Sequence, residues 1–405
     1  MKKLFKNYIN TFGGLSKEVW WLALITIVNR AGTMVIPFLS LYLTESLEID
    51  ISNVGWVMTC YGLGSLVGSW LGGKLTDTFG YYKVMFFSIV TTGLLFFWLQ
   101  TLTTFQSFCW GIFIVMIVAD TFRPAMFVAL NAYSKPENRT RSLTLIRLAI
   151  NLGFFVAPPV GGLIIVAIGY SGLFWVDGVT CILAGFLLLK VLNPKKVTEL
   201  DVIKVENPES VYKDKAFWIF FLAMFIFAFV FLQYFSTMPL YYRNVYELSE
   251  FEIGLLLGFS GLVIFIFEMP FIKWLNEKKK SNAYYVFIGL ILTGLSFIVL
   301  NLTSWIGILV IGILLMTVGE MIAFPFSNSF AAQRAKKGNQ GEYMALYSIS
   351  FSFAHIFGHN SGMQMIDKFG FETAWNIMTI IAFIGVIILY ILMRVLKNEK
   401  QLKSL

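Results

Sequence analysis

Residues 216–241 read AFWIFFLAMFIFAFVFLQYFSTMPLY, a run without one charged side chain. Wound as an α-helix, which rises about 1.5 Å per residue, it exceeds the roughly 30 Å of hydrocarbon in a bilayer. Comparable runs recur at 19–43, 54–75, 83–101, 108–131, 142–167, 171–192, 252–274, 283–300, 306–330, 343–366 and 374–396, so twelve spans are expected. Composition agrees: 58% of the 405 residues are hydrophobic and 13% charged, whereas soluble domains run near a quarter charged. Only helices and closed barrels satisfy their backbone polar groups inside lipid. Barrel strands alternate apolar and polar residues over segments of about ten, and these runs do not. The expectation is an all-α membrane protein.

The first run is too long for the apolar region of a cleaved signal and holds Arg30. The basic stretch before it, 1–17, reads as a cytoplasmic tail. Cys60, Cys109 and Cys181 each fall inside a span, which speaks for packing and against a disulfide framework. The net charge of +8 matters through its distribution. Lys135, Arg139 and Arg141; Lys195, Lys196, Lys204, Lys213 and Lys215; Lys278, Lys279 and Lys280; and Arg334, Lys336 and Lys337 crowd one set of alternate loops. The opposite set keeps only Arg243 and Lys368. Both termini are therefore expected in the cytoplasm, and the basic excess is a topology signal and not a nucleic-acid footprint.

The longest hydrophilic stretch, 193–215, mixes Lys, Glu, Asp and Pro with few aromatics and reads as a flexible linker. It divides the chain into six-span halves, 1–192 and 216–405. The halves resemble each other at an offset of 201 residues, which carries Pro124 to Pro325, Leu145 to Leu346, Gly161 to Gly362 and Gly169-Tyr170 to Gly370-Phe371. Parallel repeats of this kind imply a substrate site near the bilayer midplane where the halves meet.

Between the second and third spans stands Gly73-Lys74-Leu75-Thr76-Asp77-Thr78-Phe79-Gly80-Tyr81-Tyr82-Lys83. A short turn needs glycine, and Asp77 is placed to cap the neighbouring helix or to pair across the bundle. The segment resembles the G-x-L-a-D-r-x-G-r-r-k element of the major facilitator superfamily. Gly73, Leu75, Asp77, Gly80 and Lys83 match it, while Thr78 and Tyr81 replace the usual basic residues. The resemblance implies the major facilitator fold, twelve helices in two pseudo-symmetric six-helix halves, and a loop that latches the inner gate when the protein faces outward. Span five supplies a second match. Gly153-Phe154-Phe155-Val156-Ala157-Pro158-Pro159-Val160-Gly161-Gly162 is similar to the G-x-x-x-G-P-x-x-G-G element of the superfamily's antiporters, with Ala157 in place of one glycine. Small residues let helices approach and the prolines bend the span. The competing reading is a generic kink.

Ionisable residues at membrane depth are functional candidates by default. Arg30 lies about eleven residues into its span, hence near mid-membrane, and Asn29 adjoins it. Asp120 is similarly central in span four, with Arg123 at the i,i+3 spacing of a local ion pair. Arg147 and Asn151 share a face of span five, pointing to a polar wall that reaches toward Asp120. Asp177, about two turns into span six, is taken as an interfacial or packing residue. In the second half, Glu268 and Glu320 have no basic residue adjoining them in sequence. A carboxyl in low dielectric titrates nearer neutrality, as a proton carrier must. Glu320, the deeper along its span, is the first candidate, with Glu268 closer to the cytoplasmic gate. His355 and His359 share one face of span eleven beside Asn360, which suits cavity lining or proton relay, with simple packing as the rival. Two histidines without further ligands make no metal site. Gln233 and Tyr234 add polar groups to the wall of span seven.

These residues lead to a secondary active transporter, proton-coupled, that exports small organic or drug-like compounds by alternating access. The expected setting is the bilayer of a bacterial inner membrane, as a monomer, without cofactor, metal or enzymatic activity. Nothing resembles a nucleotide-binding loop. Two rivals remain: proton-driven uptake of peptides or amino-acid-like solutes, and a non-transporting sensor on the same fold.

Overall fold

The computed structural model describes residues 13–31, 33–135, 138–194, 210–334 and 340–403. The tail 1–12 and most of the linker, including Lys195, Lys196 and Lys204, lie outside the described residues, as do Lys336 and Lys337.

Every regular element among the described residues is helical. They are α1 (Lys17–Ala31), α2 (Val35–Leu41, continued by a π turn Tyr42–Ser46), α3 (Ile51–Phe79), α4 (Tyr81–Leu99), α5 (Phe105–Asp120), α6 (Phe122–Tyr133), α7 (Arg139–Ile168) and α8 (Ser171–Val191). A 3₁₀ turn Val211–Lys213 then leads into α9 (Lys215–Phe231), α10 (Gln233–Tyr246), α11 (Glu250–Glu277), α12 (Asn282–Leu300), α13 (Gly307–Arg334) and α14 (Gln340–Lys403). Among the described residues, ten helical stretches are long and apolar enough to cross a membrane. α3 is outside that set: it is 29 residues long, but its many glycines lower its hydropathy. α14 is counted once although Gly370 interrupts it with φ 74° and ψ 172°.

Polar caps set several helix starts. Thr104 and Ser107 form a reciprocal capping box on α5, Asp214 accepts from Phe217 N at 3.1 Å on α9, and Ser281 accepts from Tyr284 N at 3.2 Å on α12. Each satisfies backbone donors that a helix start leaves open.

The offset of 201 residues extends beyond the glycine and proline matches. It carries Tyr81–Leu99 onto Asn282–Leu300 without slippage and the start of α7 onto the start of α14. Gly169 and Gly370 share one backbone conformation, φ 79° and ψ 176° against φ 74° and ψ 172°, a left-handed turn that glycine adopts without a steric penalty. Helix crossings repeat as well. Ser88 Oγ donates to the Val118 carbonyl at 2.7 Å, and at the equivalent place a Cβ on Gly289 would stand 2.7 Å from the Gly319 carbonyl.

Contacts divide the chain into two compact units. One is built from the described residues within Met1–Glu48, Cys60–Asp201 and Leu248–Phe265; the other from those within Ile49–Thr59, Val202–Glu247 and Ile266–Leu405. Each thus holds the first turns of a helix that begins on the other side of the linker. In the first unit, α3 lies along α5 and α6 through Gly64, Gly68 and Gly72, which face the backbone at Phe113, Ile117 and Thr121 in successive turns. A Cβ on Gly68 would stand 2.8 Å from the Met116 carbonyl. Gly68→Leu is therefore expected to force the helices apart and to cost about 1–3 kcal/mol, read as a lower unfolding temperature of the purified protein. Unchanged stability would mean that this crossing is looser than it looks.

Candidate substrate and proton pathway

The first unit gathers Arg30, Asp120 and Arg123 and adds two residues that sequence reasoning passed over. Arg123 Nη2 lies 3.4 Å from Asp120 Oδ1, and Ser65 of α3 donates its hydroxyl to Asp120 Oδ2. Arg30 and Tyr61 both interact electrostatically with Asp120 and Arg123, and the Arg30 guanidinium stands 6.0 Å from the Phe154 ring centre. Asp120 is 8% exposed, whereas the Arg123 side chain keeps 54% exposure, so the ion pair opens on one side. The missed signal was the i,i+4 spacing of Tyr61 and Ser65, two polar residues on one face of a glycine-rich span.

The cluster sits where helices are interrupted. α5 gives way to α6 at Thr121, three residues before Pro124, whose ring has no N–H to return to the Asp120 carbonyl. α1 ends beside Asn29 and Arg30, and α2 begins only at Val35. Asp177 holds that second piece: its carboxylate accepts from Met34 N and Val35 N at 2.9 Å. One turn along α8, Cys181 Sγ accepts from Asn29 Nδ2 at 3.6 Å. Asp177 is 0% exposed, which favours the packing reading over the interfacial one. Its packing role is specific, the cap of a broken helix. Arg147 is half-buried on α7, and Asn151, one turn on, is 9% exposed.

The span-five element makes a definite contact. Pro158 and Pro159 bring α7 against the first turns of α11, where a Cβ on Gly258 would lie 2.6 Å from Pro159 Cγ and 2.8 Å from the Phe155 carbonyl. Gly162 faces the backbone of Glu250 and Phe251. Gly161 packs beside Met34 and Phe38, next to the break in the first span. Gly153 and Ala157 are both buried.

In the loop element, Gly80 turns α3 into α4 with φ 82°, the conformation expected of glycine. Among the described residues, Asp77 makes no capping hydrogen bond at the start of α4. Gly80 itself heads α4 with no side-chain cap, and Asp77 and Lys83 are exposed. Gly73 has nothing within 4 Å of its Cβ position.

In the second unit, Gln233 heads α10 at another interruption and is 0% exposed. Its Nε2 donates to the carbonyls of Phe229 at 3.0 Å and Gly358 at 2.9 Å, and its Oε1 accepts from Thr237 at 3.2 Å. Tyr234, 1% exposed, donates to the Gly312 carbonyl at 3.2 Å. Both tie helices together and form no open polar wall. His355 Nδ1 and His359 Nε2 share a hydrogen bond of 3.2 Å, so one ring donates and the other accepts. Asn360 follows, with Oδ1 3.5 Å from Gln364 Nε2. Glu268 is 3% exposed and Glu320 half-buried. Depth along the span had favoured Glu320, while enclosure favours Glu268.

Long apolar helices, interrupted beside buried charged and amide groups, define a multi-pass membrane transporter. Residues 22–359 match the family model of the Major Facilitator Superfamily, and the chain belongs to that family. It is 27% identical over 368 residues to the uncharacterised MFS-type transporter YqjV of Bacillus subtilis, covering 87% of each chain. It is 21% identical to a Na(+), Li(+), K(+)/H(+) antiporter of Planococcus maritimus, over 85% of this chain and 88% of that one. It is 23% identical to Multidrug resistance protein 1 of Bacillus subtilis, over 82% and 85%.

Proposed function

We propose that the chain is a proton-coupled secondary transporter that exports small organic or drug-like compounds by alternating access. The observation that carries this reading is the Ser65–Asp120–Arg123 group beside Arg30, with Asp120 buried at a helix interruption. Similarity to a cation/proton antiporter and to a multidrug-resistance protein supports antiport and efflux. Arg30, Arg123 and Arg147 disfavour a bare alkali cation as cargo by like-charge repulsion and favour an organic solute with acceptor groups. Twelve crossings follow if α3 spans and α14 spans twice about Gly370, in halves 1–192 and 216–405 joined by 193–215. The protein is read as a monomer of a bacterial inner membrane with both termini cytoplasmic.

Glu320 and Glu268 are the proposed proton carriers, with His355 and His359 as a relay. In proteoliposomes, an imposed pH gradient is expected to drive solute movement. Glu320→Gln is expected to abolish the gradient-driven part while leaving solute exchange at equal pH. Unchanged gradient-driven flux in that variant overturns the role of Glu320. No flux of any solute in the wild type would favour a sensor.

The runner-up is uptake of peptides or amino-acid-like solutes, a reading that rests on arginines in the first half of the sequence and glutamates in the second as partners for the two ends of a zwitterion. Inward, pH-driven accumulation of a dipeptide would select it over export.

A further inference from the structure

Within the second unit, the first turns of α3 cross α14 at Gly55, where a Cβ would lie 2.7 Å from Asn360 Oδ1. Three bonds among the described residues hold the crossing: Thr59 Oγ1 donates to the Ile356 carbonyl at 3.2 Å, and Gln364 Nε2 donates to Ser52 Oγ at 2.7 Å and to the Ser52 carbonyl at 3.0 Å. Beside it runs an open groove of about 560 Å³. Polar groups step along one wall, with the apolar Met365 and Phe369 among them. Lys368 stands at the Gly370 turn, Gln364 and Asn360 follow at one-turn intervals, and Trp56 and Phe357 lie farthest in. Asp367 adjoins Lys368 in sequence but does not line the groove.

Three features suit this groove to a ligand. From Lys368 to Phe357 is about 16 Å along the helix, close to the hydrocarbon depth of one leaflet. The carboxamides are only partly engaged: Asn360 Nδ2 and Gln364 Oε1 have no partner among the described residues. Trp56 and Phe357 are each 53% exposed, an apolar floor open to a chain. A cation, then an amide donor one to two turns deeper, then aromatic rings match phosphate, glycerol ester and acyl chain in order.

We propose that this groove binds an anionic glycerophospholipid, its phosphate on Lys368, an ester carbonyl on Asn360 Nδ2 and one acyl chain along Trp56 and Phe357. The proposal rests on the chain being embedded in a bilayer and is independent of cargo and coupling ion. Occupancy pins the first turns of α3 to α14.

The test uses the full chain purified in mild detergent and titrated with dioleoylphosphatidylglycerol or dioleoylphosphatidylcholine, with bound lipid counted by native mass spectrometry. One lysine near a phosphate supports a preference of about fivefold for the anionic lipid. Lys368→Gln is expected to erase that preference and Lys368→Glu to reverse it. Lys368 is exposed at a turn, so neither change disturbs a packed core. A phosphatidylglycerol with a diazirine on its acyl chain is expected to label the peptides that carry Trp56 and Phe357. Equal binding of the two lipids, a preference that survives Lys368→Gln, or label scattered around the protein would each overturn the proposal and leave annular lipid only.

Discussion

Replacing Arg334 with alanine is expected to remove about 3–5 kcal/mol of stability, the usual result of breaking a buried ion pair from one side. The guanidinium holds two carboxylates at once. Nε and Nη2 bind Asp214 at 2.6 and 2.7 Å, and Nη1 and Nη2 bind Glu399 at 2.6 and 2.7 Å. Tyr343 adds its hydroxyl to Asp214 at 3.0 Å. The side chains of Arg334 and Asp214 are 9% and 4% exposed, so solvent screens little of this, and that of Glu399 is 33% exposed. The cluster joins the start of α9, the end of α13 and both ends of α14. Arg334→Lys should recover only part of the loss, because an ammonium cannot bind two carboxylates bidentately.

The same cluster sets a pH dependence. Burial alone pushes the Asp214 carboxyl upward, but hydrogen bonds and charge from Arg334, with Phe217 N–H and the Tyr343 hydroxyl, outweigh it and hold it below its ordinary value. A carboxyl depressed in the folded state contributes stability in full above its unfolded pKa of about 3.9, and that contribution is lost as pH falls through the folded value. Thermal unfolding of the wild type should therefore show this contribution constant from neutral pH to about 5 and declining below 4. In Arg334→Ala the Asp214 carboxylate stays buried without its cation, so the deficit against wild type should shrink as pH falls. A deficit independent of pH would show that the loss is one of packing and not of charge.

The second large effect is expected at Asp177. Asp177→Ala leaves the N–H groups of Met34 and Val35 buried without their acceptor, at about 1–3 kcal/mol for each. Because those groups begin α2 directly after the Arg30 turn, the substitution should also lower transport beyond its effect on folded yield. Asp177→Asn keeps one acceptor oxygen and should fall between. Loss of stability with full specific transport would show that the break in the first span is not needed for function.

How much of this was legible depends on what each residue answers to. Long runs nearly free of charge answer to the bilayer, so the spans near 83–101 and 283–300 were found close to their observed bounds. The offset repeat was legible because proline and glycine carry their backbone consequences with them: Gly169 and Gly370 turn the chain alike wherever they stand. Asp120 and Arg123 could be paired on paper, since i,i+3 spacing fixes proximity on one helix. Ser65, Tyr61 and Asp177 could not be assigned, because each acts on a helix far away in sequence.

The Arg334 cluster shows the same limit. Counted as charges, Arg334 and its loop neighbours marked topology, and nothing in the spacing of 214, 334 and 399 announces one buried network. The sequence by itself determined the class: apolar length forces helices across lipid, and two motifs, one at a loop and one within span five, mark the superfamily. Tertiary structure alone decided which polar groups work together. Helix crossings bring residues more than a hundred positions apart within hydrogen-bonding distance, and inside a low-dielectric interior such contacts determine whether a charge is tolerated or costly.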